Sequence, residues 1–182
     1  MTIAVSLLRG INVGGRNMVR MEALREIHES LGCEKVRTYV QSGNVVFSAG
    51  KRDHSALAGR IADAIERGHG FRPDVVLRTA SELRDAIAGN PFGGRSGIEP
   101  GKLLVMFLTD RPAGGAIEKL AAAYQGPEEF HLRGRELYIY YPDGQGRSKL
   151  TIALIEKTLK TTGTGRNWNT VTKLLAMAEE LS

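Results

Sequence analysis

The sequence predicts an α+β protein of two ferredoxin-like (split βαβ) halves packed together, closed by a C-terminal helix. Three observations predict it. Apolar or alternating runs and helical-period segments follow the order strand, helix, strand, strand, helix, strand over residues 1–88. Most of that order recurs over residues 102–182 without shared residue identity, a repeat of architecture. Between them, GNPFGGRSGIEPG at residues 89–101 concentrates glycine and proline as a linker should. The expected organisation is thus an N-terminal half at 1–88, a linker at 89–101, and a C-terminal half with its terminal helix at 102–182.

Within the first half, residues 3–8 form an apolar run ended by Arg9 and Gly10, the pattern of a buried strand. Met21, Leu24, Ile27 and Leu31 recur at helical spacing with Glu22, Arg25, Glu26 and Glu29 between them, and Gly32 offers a left-handed stop. Residues 36–41 and 44–48 read as two strands joined at Ser42-Gly43, the strongest hairpin signal in the chain. Asp53 can cap a second helix with Leu57, Ile61 and Ile65 inward, ended by Gly68 and Gly70. Residues 74–79 read as a fourth strand, and Ser81 as the cap of a short helix reaching Ala88.

The second half opens with a strand at 102–108, followed by a helix face of Ile117, Leu120, Ala121 and Tyr124. Phe130 and Leu132, then Leu137, Ile139 and Tyr141, alternate as a hairpin around Gly134. A helix spans about 150–159 after the turn at Pro142-Asp143-Gly144. No full fourth strand is legible, because two glycines interrupt residues 161–164 and their surroundings. The last helix starts near Asn169 and buries Val171, Leu174, Leu175, Ala178 and Leu181.

Composition excludes several classes. Hydrophobic content of 42% and charged content of 25% suit a chain with a real core, and the 22 glycines lie mostly between apolar runs, as turns do. The net charge of +5 is spread, with 13 Lys+Arg against 10 Asp+Glu over residues 1–90 and 12 against 10 over 91–182, so there is no basic tail. Cys33, the single cysteine, excludes an internal disulfide and a multi-cysteine zinc site. His28, His54, His69 and His131 have no metal-ligand spacing and read as surface or cap residues; no metal is expected. No apolar run approaches membrane-span length and MTIAVSLLRG lacks a signal-peptide core, so a cytoplasmic location is expected.

Topology adds one spatial expectation. In a split motif the first and second strands point the same way, because right-handed crossovers link strands one to two and three to four. The loop after the first strand and the first hairpin should therefore share one end of the sheet.

At LLRGINVGG, NMVRM, TYVQSGNVVF, the NPF of Asn90 to Phe92 and RNWNTV of Arg166 to Val171, the chain resembles the bacterial domain-of-unknown-function 1697 family. The resemblance spans essentially the whole chain and implies two ferredoxin-like α+β halves. It brings no settled activity, substrate or cofactor and no recognised catalytic residues.

The candidate ligand site is therefore read from the residues. Arg9, Asn12, Gly14, Gly15 and Asn17 lie on a loop whose glycines let backbone N–H groups approach an anion, with Arg9 as a planar fork for phosphate or carboxylate. The same residues are equally a glycine turn with Arg9 paired to a structural carboxylate, and they match neither the dinucleotide nor the phosphate-loop pattern. Ser42, Gly43 and Asn44 have a plain explanation as a tight turn, and gain interest from their expected nearness to the first loop. Arg166, Asn167, Trp168 and Asn169 open the last helix; an Asn can cap it, Trp168 can anchor packing, and together they offer a second anion or base-stacking site. The leading expectation is a binding protein for a small phosphorylated or carboxylated ligand, with Arg9 as charge partner and Asn12, Asn17, Ser42 and Asn44 orienting. The alternatives are nucleic-acid binding along the basic surface, an enzyme whose acid or base is not visible, and a self-associating scaffold. No membrane partner is expected, and neither oligomeric state nor cofactor is specified.

Overall fold

A computed structural model describes residues 1–182. Its elements run β1 (Thr2–Leu8), α1 (Met21–Ser30), β2 (Glu34–Tyr39), β3 (Asn44–Gly50), α2 (His54–His69), β4 (Val75–Thr79), α3 (Ala80–Ala88), β5 (Leu103–Leu108), α4 (Ala116–Ala123), β6 (Glu129–Arg133), β7 (Glu136–Tyr140), α5 (Ile152–Leu159), β8 (Gly163–Asn167) and α6 (Trp168–Glu180). They form two antiparallel four-stranded sheets, ordered β2-β3-β1-β4 and β6-β7-β5-β8. Each is the sheet of a split βαβ unit.

The chain divides into two compact units. The first comprises Met1–Asp85 with Lys173–Ser182, and the second Ala86–Thr172. In the first, Ala4, Leu8, Val45, Phe47 and Leu77 form a core with Leu24 of α1 and Leu57, Ile61 and Ile65 of α2. In the second, Leu104, Met106, Leu108, Leu137 and Ile139 do the same with Leu120 of α4 and Ile155 and Leu159 of α5. The alternate residues Val5, Leu7 and Val46, and Leu103, Val105 and Phe107, are buried too. Both faces of each sheet are therefore covered, which is why β1 and β5 read as continuous apolar runs.

The two units share a register. Val5 of β1 pairs with Arg78 of β4, and Val105 of β5 pairs with Arg166 of β8. Both arginines are buried, at 1% and 7% relative exposure. Each donates Nη1 to the carbonyl of the preceding residue, Arg78 to Leu77 at 3.0 Å and Arg166 to Gly165 at 2.9 Å. So the repeat of architecture carries a shared Val–Arg pair after all.

β8 supplies the fourth strand that the sequence leaves unclear. Its glycines are required by packing: a Cβ on Gly163 would meet the Phe107 carbonyl at 2.6 Å, and one on Gly165 would meet Leu104 at 3.0 Å. Asp53 caps α2 through Ser55 N (3.0 Å), and Gly70 at φ 78 ends it, so Gly68 lies within the helix. The cap of α3 is Thr79, not Ser81: Thr79 Oγ1 accepts from Glu82 N and Glu82 Oε2 accepts from Thr79 N, a reciprocal capping box. β2 begins two residues earlier than periodicity suggests, and Val40 and Gln41 belong to the turn. Residues 89–101 are anchored to the second sheet, with Phe92 buried against the His131 and Tyr140 rings and Arg95 bonded to Glu129 at 2.6 Å.

Candidate functional site

The loop after β1 and the β2–β3 turn do share one end of the first sheet. β1 and β2 both run antiparallel to β3 and hence parallel to each other. Leu8 N donates to Gly43 O at 2.9 Å, and the space above Gly43 is filled by Leu8 and Ile11, where a Cβ would sit 2.8 Å from each. Gly43, at φ 84, is thus fixed by a close approach as well as by its backbone angle.

Residues 12–17 form a small projecting hairpin. Asn12 N donates to Asn17 O (3.1 Å), Arg16 N donates to Val13 O (3.0 Å), and Val13 and Arg16 make an isolated bridge. Gly14 and Gly15 at its tip have φ of 58° and 72°. Two consecutive positive angles closed by that bond define a type I′ turn, so Gly14-Gly15 is turn chemistry.

Asn12 holds this finger to the sheet. Its Nδ2 donates to Val19 O (3.0 Å) and to Gln41 O (2.7 Å), while its Oδ1 accepts from Val19 N (2.8 Å). An amide is the one side chain that can donate twice and accept once in this way, and Asn also tolerates the φ of 53° that it adopts here. Asn17 Nδ2 donates to Gly10 O (3.1 Å), and buried Asn44 donates to Tyr39 O and Ser42 Oγ, both at 3.0 Å. The Asn side chains and Ser42 are therefore engaged in building the loops.

Arg9 lies beside Asp74, Nη1 to Oδ2 at 3.7 Å, and its backbone N donates to Asp74 O. Both side chains are partly exposed, so screening leaves the pair well under ~1 kcal/mol. What the end of the sheet turns outward is different: Arg16, Arg20 and the side chains of Val13, Met18 and Val40, at 64%, 58% and 50% relative exposure. With Met1 these are the exposed large hydrophobics of the chain. Val40 also holds a φ of 47°, a left-handed conformation that a β-branched residue adopts only under constraint. Sequence reasoning passes over these residues, yet one signal marks them: residues 1–21 contain three arginines and no Asp or Glu, and residues 35–52 contain no Asp or Glu either.

The Arg166 motif belongs to the second unit. Arg166 is buried and donates to Thr164 Oγ1 (2.6 Å) as well as to Gly165 O; burial lowers its pKa to about 10, which leaves it charged at neutral pH. Asn167 caps α6, its Oδ1 accepting from Thr170 N at 2.9 Å. Trp168 is half-buried, and Asn169 is exposed in the first turn.

His28 departs from the expectation of a surface residue, because α1 places it one turn from Leu24 on the inward face. Its Nδ1 lies 2.8 Å from Leu24 O and its Nε2 2.8 Å from Ser6 Oγ. A carbonyl can only accept, so Nδ1 carries the proton, and Nε2 accepts from the Ser6 hydroxyl. Burial lowers the His28 pKa to about 4, partly opposed by the bond to Leu24. A serine bonded to a neutral imidazole resembles a nucleophile and its base, but both residues are fully buried. Cys33 is buried as well, and burial raises its thiol pKa. Among all residues, no group of three or more His, Cys, Asp or Glu is placed to hold a metal ion, and no helix is long and apolar enough to cross a membrane.

Two covered antiparallel sheets, each in a split βαβ unit, with an exposed loop at the end of the first, define an α+β protein. The family described as "Protein of unknown function (DUF1697)" matches residues 1–138, and the chain belongs to that family. A solved structure described as that of conserved bacterial protein SP0830 from Streptococcus pneumoniae is similar with a TM-score of 0.74 and 22% identity, over 98% of this chain and 99% of that one. At that identity the likeness concerns the fold. No curated protein matches the chain.

Proposed function

We propose that this is a binding protein whose recognition element is the finger at the end of the first sheet, and that its ligand presents a phosphate or carboxylate group. The observation that carries this reading is Asn12, whose three hydrogen bonds fix an otherwise exposed glycine hairpin in one position. A pre-ordered loop loses little entropy on binding, which is what a recognition element needs. Arg9, Arg16 and Arg20 supply the charge, in a stretch without a carboxylate of its own. Asn12, Asn17, Ser42 and Asn44 position the loops, and Gly14, Gly15 and Gly43 allow their turns.

Binding is favoured over catalysis because the one serine–imidazole pair is buried. It is favoured over readout of nucleic acid on the sheet because Val5, Leu7, Val46 and Phe47 are covered, leaving no open strand face for stacked bases. The test is a thermal-shift screen against inorganic pyrophosphate, sugar phosphates and di- and tricarboxylates, with Arg16→Ala/Arg20→Ala alongside. A ligand at 100 times its dissociation constant adds roughly 2.7 kcal/mol, a rise of several degrees. The reading expects such a rise in the parent and its loss in the double variant; an equal rise in both would refute it.

A further inference from the structure

We infer that the finger docks an acidic polypeptide segment carrying aliphatic side chains between its carboxylates, because Asn12 brings three exposed apolar residues and the carboxylate-free arginine stretch to one place. This rests on the binding reading above and names the partner.

The argument begins from where the exposed apolar residues fall. Val13 follows Asn12, Met18 precedes Val19, and Val40 precedes Gln41; Asn12 bonds to both Val19 and Gln41. One side chain thus ties together three segments, and each of them turns an apolar residue to water. Exposed apolar residues scattered singly need no explanation, but three of the chain's four gathered on one hub do.

Shape and charge then select the occupant. A small molecule is held in a concave site that covers most of its surface. Here Val13 stands on the exposed hairpin of residues 12–17, Met18 just after it and Val40 on the β2–β3 turn, an exposed surface suited to an extended chain. A groove of about 470 Å³ in the same unit, lined by Lys35, Arg37 and Glu180 among others, has its cations engaged: Arg37 pairs with Glu180 at 2.9 Å and Lys35 donates to Leu181 O. Arg16 and Arg20 flank the apolar residues and call for carboxylates or phosphates. The apolar component is aliphatic, Val, Met and Val, whereas single-stranded nucleic acid is gripped by aromatic stacking. Methionine is the side chain of adaptable protein-binding surfaces. A polypeptide with acidic and aliphatic side chains satisfies both halves of the patch.

The test is selection from a random dodecapeptide display library on the full-length protein, with the enriched peptides then measured on the parent and on Val13→Ser/Met18→Ser/Val40→Asn. All three substitutions are at exposed positions, and circular dichroism confirms that the variant folds. The expected result is enrichment of peptides with Asp or Glu around Leu, Ile or Val. Their affinity should fall roughly tenfold or more in the triple variant and in Arg16→Ala/Arg20→Ala. Enrichment of basic peptides, or equal binding to the triple variant, overturns the proposal. If no peptide enriches while pyrophosphate still binds through Arg16 and Arg20, the partner assignment fails and the anion reading stands; if neither binds, both fail. Oligothymidylate that binds through the arginines and is indifferent to the apolar substitutions would assign the surface to nucleic acid. Self-association of the parent, lost in the triple variant, would make a second copy the occupant and overturn it equally.

Discussion

The Asn12 side-chain amide donates to the Gln41 carbonyl at 2.7 Å, joining the loop after the first strand to the first hairpin across 29 positions of sequence. With its two bonds to Val19, this contact converts a glycine-rich connection into a fixed projection. Each bond contributes about 1 kcal/mol net, and a partner left unsatisfied costs more. Asn12→Ala is therefore expected to lower stability by roughly 2–3 kcal/mol in urea denaturation. Hydrogen exchange at the Val19 amide should accelerate in the same variant. Unchanged exchange there would mean that the finger is held by something else.

Val40 is expected to behave in the opposite way. At φ 47° it holds a conformation costing a β-branched residue roughly 1–2 kcal/mol, in an exposed turn. Val40→Asn should raise stability by about 1 kcal/mol while weakening partner binding. A stabilised variant with full affinity would remove Val40 from the recognition surface.

The glycines of this region should separate by their surroundings. Gly43→Ala meets Leu8 and Ile11 at 2.8 Å in addition to its positive φ, whereas a Cβ on Gly14 meets nothing within 4 Å. Gly43→Ala is expected to cost roughly 2–4 kcal/mol and Gly14→Ala about 1 kcal/mol, measured by chemical denaturation. Equal costs would show that backbone angle alone decides.

His28 predicts an acid limb in stability. Its pKa falls from 6.5 to about 4 on folding, so the unfolded chain binds a proton more readily than the native state. Stability is then full above pH 6.5 and declines as pH falls towards 4, by about 3 kcal/mol in all. His28→Gln should be less stable than the parent at pH 7 and should flatten this limb. A parent and variant losing stability in parallel between pH 6.5 and 4 would assign the limb to other groups.

How much of this was legible in the sequence follows from what decides each feature. Period and punctuation are local, so the helix capped by Asp53 and ended at Gly70, the apolar first strand and the hairpin at Ser42-Gly43 could be read directly. The meeting of the first loop with that hairpin followed from strand directions alone. β8 was obscured because Gly163 and Gly165 carry no side-chain pattern, their identity being set by Phe107 and Leu104 across the sheet. Thr79 and Glu82 spell a capping box and were legible, had Ser81 not offered a simpler cap. The burial of Arg78, Arg166 and His28 was not, since a polar residue's burial depends on tertiary partners distant in sequence. At the candidate site, the Asn residues read as ligand chemistry in the sequence and serve as architecture in the fold, while Val13, Met18 and Val40 stand out only once exposure is known.

The measurement closest to the central claim is an amide chemical-shift titration of isotope-labelled protein with inorganic pyrophosphate, at low and moderate salt. Changes confined to residues 9–20 and 40–43, abolished by Arg16→Ala/Arg20→Ala, are the predicted result. Changes centred elsewhere, on the Lys35 and Arg37 groove or around Arg166, with residues 9–20 silent, would contradict it.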